Sequence, residues 1–511
     1  MRDLARWTCA VGLTLFCQPA AAQTLYRLTD LTPWTDRGEA WAINANGQVT
    51  GRIDAASWVS PAFRGDSVSS QRLPQLGTGF SLGWAINASG QITGYSTIGD
   101  TVELRAVLWD GDEIREIGSL GGREASGTAI NDAGHVAGFS TFQPGLSDRR
   151  AFYWDGSTML DLGALGGDTS HAEDINAAGH VVGGAAVNEY FSHAFLWDGV
   201  LMHDLGSLGE FSSSSAVAVN ERAQVAGSST FPDDGREHAV FWDADGTIVD
   251  LGTLGGRESE TVALNELGEV AGNSFTGSFA RGFFWNGAPM RDIGTLGGDT
   301  SEVRGMNGLG QIVGVSQNAT GARRPFFWDG TAMHDLDALV DPRDPLRPYV
   351  TLDEAWRIND RGDIAAEGKD SRQPGNVHVF LLSRVTAAQV TLAGFGRPVD
   401  AVPTMNLVQP GKSVPLRFRV ATAQGAPVDD LAEVDLAIRV ERCGVLDATG
   451  RDRVERYAKQ RSGLENLGRG NYRYNWKTAK SAKGCRVVSL SLPSAYASTP
   501  VSLSAYFRFT N

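Results

Sequence analysis

The sequence predicts an all-β chain: an eight-bladed β-propeller followed by a smaller immunoglobulin-like β-sandwich. Three observations carry this. A phrase of the form Ile-Asn-x-x-Gly-x-Val-x-Gly, with mild variation, recurs with its asparagine at Asn44, Asn87, Asn131, Asn176, Asn220, Asn265, Asn307 and Asn359. The copies stand 42 to 52 residues apart, the length of one four-stranded propeller blade. The two ends of the repeat region also complement each other. Tyr26-Arg27-Leu28-Thr29-Asp30-Leu31 reads as the fourth strand of a unit with no strands before it, and the last unit has three strands and lacks the fourth.

Each unit divides into four strands. The first ends on the Ala-Ile-Asn run, as in Gly127 to Asn131. Asn-x-x-Gly then makes a tight turn, with glycine where a positive φ is wanted. The Val-x-Gly-x-Ser run is the second strand. The third alternates, with His193, Phe195 and Trp197 on one face and Ala194 and Leu196 on the other. It ends in Trp-Asp-Gly or a close variant at Trp109, Trp154, Trp197, Trp242, Trp285 and Trp328. Asp-Gly reverses the chain, a short fourth strand such as Met202 to Leu205 follows, and Leu-Gly-Gly leads to the next unit. The last unit has its strands at Trp356–Asn359, Asp363–Glu367 and His378–Leu382, so the N-terminal strand completes it and removes an open edge. A linear solenoid is the competing architecture, but it needs capping ends rather than complementary ones.

A chain of 511 residues is too long for one ordinary domain. Three regions are expected: a signal peptide at 1–22, the propeller at 23–385 and the sandwich at 386–511. The signal reading rests on Arg2 and Arg6, an apolar stretch from Trp7 to Cys17, and Ala20-Ala21-Ala22 before Gln23. That stretch is too short for a permanent anchor, and no other segment has the length of a spanning helix. The protein is therefore expected outside the cytoplasm, secreted or periplasmic, and not membrane-spanning. Net charge is −14 with no run of Lys and Arg, which argues against nucleic acid as a partner. Cys9 and Cys17 fall in the removed segment. Cys443 and Cys485 remain and are expected to pair as one disulfide. Closing so long a loop contributes ~3–4 kcal/mol in the chain-entropy account.

With the Ile-Asn-x-x-Gly phrases and the His193–Trp197 and His238–Trp242 runs in view, the region from Leu25 to Arg384 resembles the HAF family of extracellular bacterial repeats. The resemblance implies export and a repeat fold, and no activity comes with it. The first unit departs from the pattern, with Phe63-Arg64-Gly65-Asp66 in place of Trp-Asp-Gly. Beyond residue 386 the segments Pro410–Phe418 and Gly470–Thr478 look like the small PxKF-type domain of bacterial surface proteins, with Arg417 where that motif has lysine.

No catalytic constellation declares itself. The histidines fall into equivalent places in the repeat: His135 with His180, His193 with His238 and His378, His203 with His334; His171 stands apart. Equivalent places lie one blade apart around a ring, so they do not converge on one ion, and no metal or cofactor is expected. Asp243-x-Asp245-Gly246 lacks the further oxygens of a calcium loop and reads as a hairpin turn. No nucleophile elbow or phosphate-binding loop is present.

The strongest lead is positional. Loops joining strand four to the next strand one carry Arg123, Asp168, Glu210, Arg257 and Asp299, which would rim the channel on one face. They make either inter-blade ion pairs (Arg123 with Asp168, Arg257 with Asp299) or a polar funnel for a ligand. Loops between strands two and three open on the same face and vary in length, as Phe142–Arg150 and Phe231–His238 do. The insertion Val340–Pro348 would lid the channel mouth. The function expected is non-enzymatic binding of an extracellular polymer, glycan or protein on this loop-rich face. The alternative is a polysaccharide hydrolase, which would need two of Asp168, Glu210 and Asp299 ~5–10 Å apart.

Overall fold

The computed structural model describes residues 25–54, 60–143, 148–277, 279–385, 390–422, 427–428, 434–443, 446, 450–453, 463–469, 471–491 and 502–510. The expected signal segment lies outside the described residues, as do positions 144–147 of the loop after Phe142. The chain divides into two compact units at Arg384 and Val385.

The first unit is an eight-bladed propeller. Seven blades are consecutive four-stranded meanders: blade 1 spans 37–72, blade 2 81–118, blade 3 125–163, blade 4 170–204, blade 5 214–250, blade 6 258–292 and blade 7 297–335. Blade 8 takes three strands from 350–384 and its outermost strand from Tyr26–Asp30. That strand runs antiparallel to His378–Arg384, with Tyr26 opposite Arg384 and Asp30 opposite Phe380. The Nδ1 of fully buried His378 lies 2.8 Å from Asp30 Oδ2 across this closing pair.

Alternation in the third strand sorts side chains between two neighbouring blades rather than between core and water. Phe195 and Trp197 pack toward blade 3 with Ala129 and Ala137, and Ala194 packs toward blade 5 with Val219 and Trp242. The repeated tryptophans are inter-blade core. Trp109 and Trp242 donate their indole N–H to Pro74 O and Leu205 O of a preceding blade, at 2.7 and 2.8 Å. Histidines of the repeat pair locally. His193 and His238 bond Asp204 and Asp250 on the outermost strand, and His203 and His334 bond the turn aspartates Asp198 and Asp329.

The repeated asparagines form a hoop at one end of the channel. Seven of the eight side-chain amides donate to the backbone carbonyl of the asparagine in the next blade, at 2.9–3.2 Å: Asn44 to Asn87, then Asn131, Asn176, Asn220 and Asn265, and from Asn307 to Asn359 and back to Asn44. At blade 6 the amide of Asn265 bonds Glu269 at 2.7 Å. Each Oδ1 accepts N–H groups of its own turn; Asn131 takes those of Ala133 and His135. Glycine ends the turn with a positive φ in every blade except the fifth, where Ala223 holds φ 57°. An L side chain there costs ~1–2 kcal/mol.

The insertion at 340–348 does not lid the channel. Val340 pairs with Tyr26, Asp341 N donates to Tyr26 O, and Asp344 Oδ2 accepts Leu28 N. Leu336, Leu339 and Val340 are buried with Tyr26 and Leu28. It is stapled to the outermost strand of blade 8, because that strand's free edge leaves backbone groups to satisfy.

The second unit is a β-sandwich. One sheet orders Val390–Gly396, Ser413–Thr422, Asn471–Lys477 and Gly463–Gly468; the other orders Asp435–Glu441, Cys485–Ser491, Ser502–Phe509, Thr404–Val408 and Gly450–Arg453. Leu416, Phe418, Tyr472 and Trp476 meet Val408, Val488, Leu490 and Phe507 between them. Thr404–Val408 runs parallel to both of its neighbours, so the five-stranded sheet is mixed rather than wholly antiparallel as in an immunoglobulin sandwich. Cys443 and Cys485 form a disulfide.

Two outcomes follow. Asn131→Ala strands a buried carbonyl and two turn N–H groups, so it lowers propeller stability by about 2–4 kcal/mol in urea titration followed by tryptophan fluorescence. Reduction of the disulfide, or Cys443→Ser, lowers the melting transition of the C-terminal unit and leaves that of the propeller unmoved in calorimetry; loss of both together contradicts this.

Candidate functional site

First strands of adjacent blades are neighbours all round the ring, so they line the channel and run from the loop-rich face to the asparagine hoop. Each carries a β-bulge three residues before its asparagine, where the register with the second strand skips one residue. A bulge re-aims a side chain. In blades 1 to 7 the second glycine of the repeated phrase leaves room for it, and Ala366 holds that place in blade 8. A Cβ on Gly51 would lie 1.9 Å from Glu39 O, and on Gly272 2.0 Å from Glu260 O.

The bulged residues are Trp41, Trp84, Thr128, Glu173, Val217, Val262, Arg304 and Trp356 in blades 1 to 8. Three adjacent blades thus contribute tryptophan. Trp41 meets Trp84 edge-on at 4.5 Å and Trp356 at 6.2 Å, and the Arg304 guanidinium lies 5.1 Å over the Trp356 ring. The indole N–H groups of Trp41 and Trp356 are enclosed without an acceptor.

Carboxylates gather beside them. Glu39, Glu302 and Glu354 stand two residues before the bulge in blades 1, 7 and 8, and Glu367 lies opposite Glu354 on the second strand of blade 8. Arg52 and Arg37 pair with Glu39 at 2.8 and 3.4 Å. Arg323 and Arg304 bridge Glu354 at 2.9 and 3.7 Å, and both also reach Glu302. Burial pushes the Glu367 carboxyl up to about 7; the Ala40 N–H, 3.3 Å away, pulls it down, and Glu39 and Glu354 raise it further. A cavity of about 180 Å³ opens here, lined by Arg37, Glu39, Ala40, Trp41, Trp356 and Glu367. On the other side of the ring, Asp174 is likewise pushed up to about 6 by burial, although it accepts Val219 N and Ile175 N.

Four of the five rim residues lie one per connection on the loop-rich face, Asp299 stands near the start of the first strand of blade 7, and the ion pairs expected among them do not form. Arg123 pairs with Glu103 at 3.6 Å and Arg257 with Asp234 at 3.6 Å. Asp168 faces Arg150 at 3.9 Å, and Asp299 offers its backbone oxygen to Arg281 at 3.5 Å. Each contact joins a rim residue to strand three or to the two-to-three loop folded beside it, which is nearer than the next blade. Glu210 is exposed beside exposed Phe211. Phe211 (69 % exposed) and Tyr190 (80 %) flank Phe191, with ring centroids 6.3 and 6.5 Å apart. These three rings come from two adjacent loops of blades 4 and 5. The carboxylates that the fold does assemble are those of the channel, not Asp168, Glu210 and Asp299.

Sequence reasoning missed the channel residues. The signal was present, since tryptophan precedes Ala-Ile-Asn at both 41 and 84 and stands at the same place, 356, in blade 8. A bulge, however, is invisible to a period-two reading.

No family model matches the chain, and no curated protein does. Among solved structures the chain is similar to dipeptidyl peptidase 4 of Porphyromonas gingivalis, at 10% identity over 73% of this chain and 67% of that one, TM-score 0.40. It is similar to the β-propeller domain of the Trilobed protease from Pyrococcus furiosus, described as having an open velcro topology, at 12% identity over 63% and 98%, TM-score 0.36. A putative TolB from Agrobacterium tumefaciens follows at 11% identity over 53% and 93%, TM-score 0.30. At this distance the likenesses carry no function, and the fold stands on the strand pairing described above.

Glu367 makes the propeller's stability depend on pH. Between its ordinary value of 4.5 and about 7 the folded chain holds a proton that the unfolded chain has released. This contribution is complete at the acid end and is lost as pH rises through 7, by up to about 3 kcal/mol. Glu367→Gln removes that slope, so urea midpoints at pH 5 and pH 8 converge in the variant relative to the parent.

Proposed function

We propose that this chain is an exported, non-enzymatic binding protein of the HAF-repeat kind. The loop-rich face of the propeller is its recognition surface, and a PxKF-like sandwich is its accessory unit. The ligand is an extracellular polymer, glycan or protein surface. The observation that carries the reading is the pair of exposed rings Tyr190 and Phe211 on either side of half-buried Phe191, beside Glu210. Contiguous exposed aromatic surface is unusual on a soluble protein and marks a contact site. Aromatic side chains bring large contact area at a small cost in conformational freedom.

Charge around the same rim supports selectivity rather than bulk affinity. Arg123 and Arg257 alternate with Asp168, Glu210 and Asp299, and exposed pairs such as theirs contribute only ~0–1 kcal/mol each. Their side chains are therefore free to exchange partners when a ligand arrives. A disulfide fits an oxidising compartment, in keeping with export.

The test is co-sedimentation of the full chain with insoluble extracellular polysaccharides, together with a glycan array. Wild type is expected to bind at least one polymer, and Tyr190→Ala with Phe211→Ala to weaken that binding at least tenfold. Wild type that binds nothing, or a double variant that binds as well as wild type, overturns the proposal.

A further inference from the structure

We infer that the closing seam of the propeller holds a second, separate site, which takes a single neutral polyhydroxylated ring, a monosaccharide unit, against Trp41 and Trp356. The cavity lies between blades 8 and 1, the two blades joined by the N-terminal strand, and exposed Arg37 stands at its mouth. At about 180 Å³ it is below the ~300–1,000 Å³ of pockets for drug-sized ligands, so it admits one ring and not a chain.

Its walls pair apolar indole with hydrogen-bonding groups of both kinds. Glu39 and Glu367 offer carboxyl oxygens, and Arg37 offers N–H donors. The unpartnered indole N–H groups of Trp41 and Trp356 lack an acceptor, an uncommon condition for buried polar atoms. Sugar rings combine apolar C–H faces with hydroxyls that both donate and accept, which matches this mixture.

Charge bookkeeping disfavours the other ligand that aromatic walls commonly attract, an organic cation. Glu39 is already compensated by Arg37 and Arg52, and Glu354 by Arg304 and Arg323. Arg304 itself occupies a face of Trp356. Little uncompensated negative charge is left to hold a cation.

This inference does not depend on the aromatic rim at Tyr190, and one experiment separates them. The full chain is titrated calorimetrically with the methyl glycosides of glucose, galactose, mannose and N-acetylglucosamine, and with tetramethylammonium chloride. Saturable binding of at least one glycoside is expected. It should weaken at least tenfold in Trp41→Phe and in Arg37→Ala, whose exposed side chain can be removed without unfolding the ring, and stay unchanged in Tyr190→Ala. Three results overturn the inference: no glycoside binds, the two channel variants bind as wild type does, or tetramethylammonium binds in place of the sugars.

Discussion

Eight buried asparagines hold the propeller together at one end of its channel. Each closes its own turn through Oδ1, and all but Asn265 reach the next blade through the amide, so the neighbour's carbonyl is satisfied where no further strand exists to do so. The final link joins Asn359 to Asn44, residues 315 apart in the chain. The hoop is therefore a tertiary bond made from a local motif. Its geometry demands the same residue in every blade, which is why the asparagine is the most regular feature of the repeat.

A second constraint follows from the first strand that leads into that asparagine. In seven blades glycine in the second strand clears room for the first-strand carbonyl two residues before the bulge, and the bulge turns one side chain per blade toward the axis. The bulged position varies from blade to blade: tryptophan in blades 8, 1 and 2, threonine in 3, glutamate in 4, valine in 5 and 6 and arginine in 7. A symmetric scaffold thus carries an asymmetric channel, with its aromatic and acidic side at the seam where the ring closes.

The loop-rich face obeys a different economy. Arg123, Asp168 and Arg257 meet opposite charges within their own blade or on the connection beside it, because those groups are closer than anything one blade away. Its longest insertion is committed to covering the outer edge of blade 8. Aromatic surface is exposed on this face too, at Tyr190 and Phe211.

Blade number, strand order and ring closure were legible in the sequence, because each is written in a local code repeated many times: turn residues at fixed offsets, and two ends whose strands complement each other. The inter-blade place of the Trp109 and Trp242 class could be read for the same reason. The site could not. Rim residues were identified from their loops, but which of them meet depends on distances across folded connections, and the pairs formed were not those expected. The channel tryptophans stand inside ordinary-looking strands, and only the bulge, a feature of register between two paired strands, turns them inward. Local chemistry determined the architecture; the direction a side chain faces was decided by tertiary pairing.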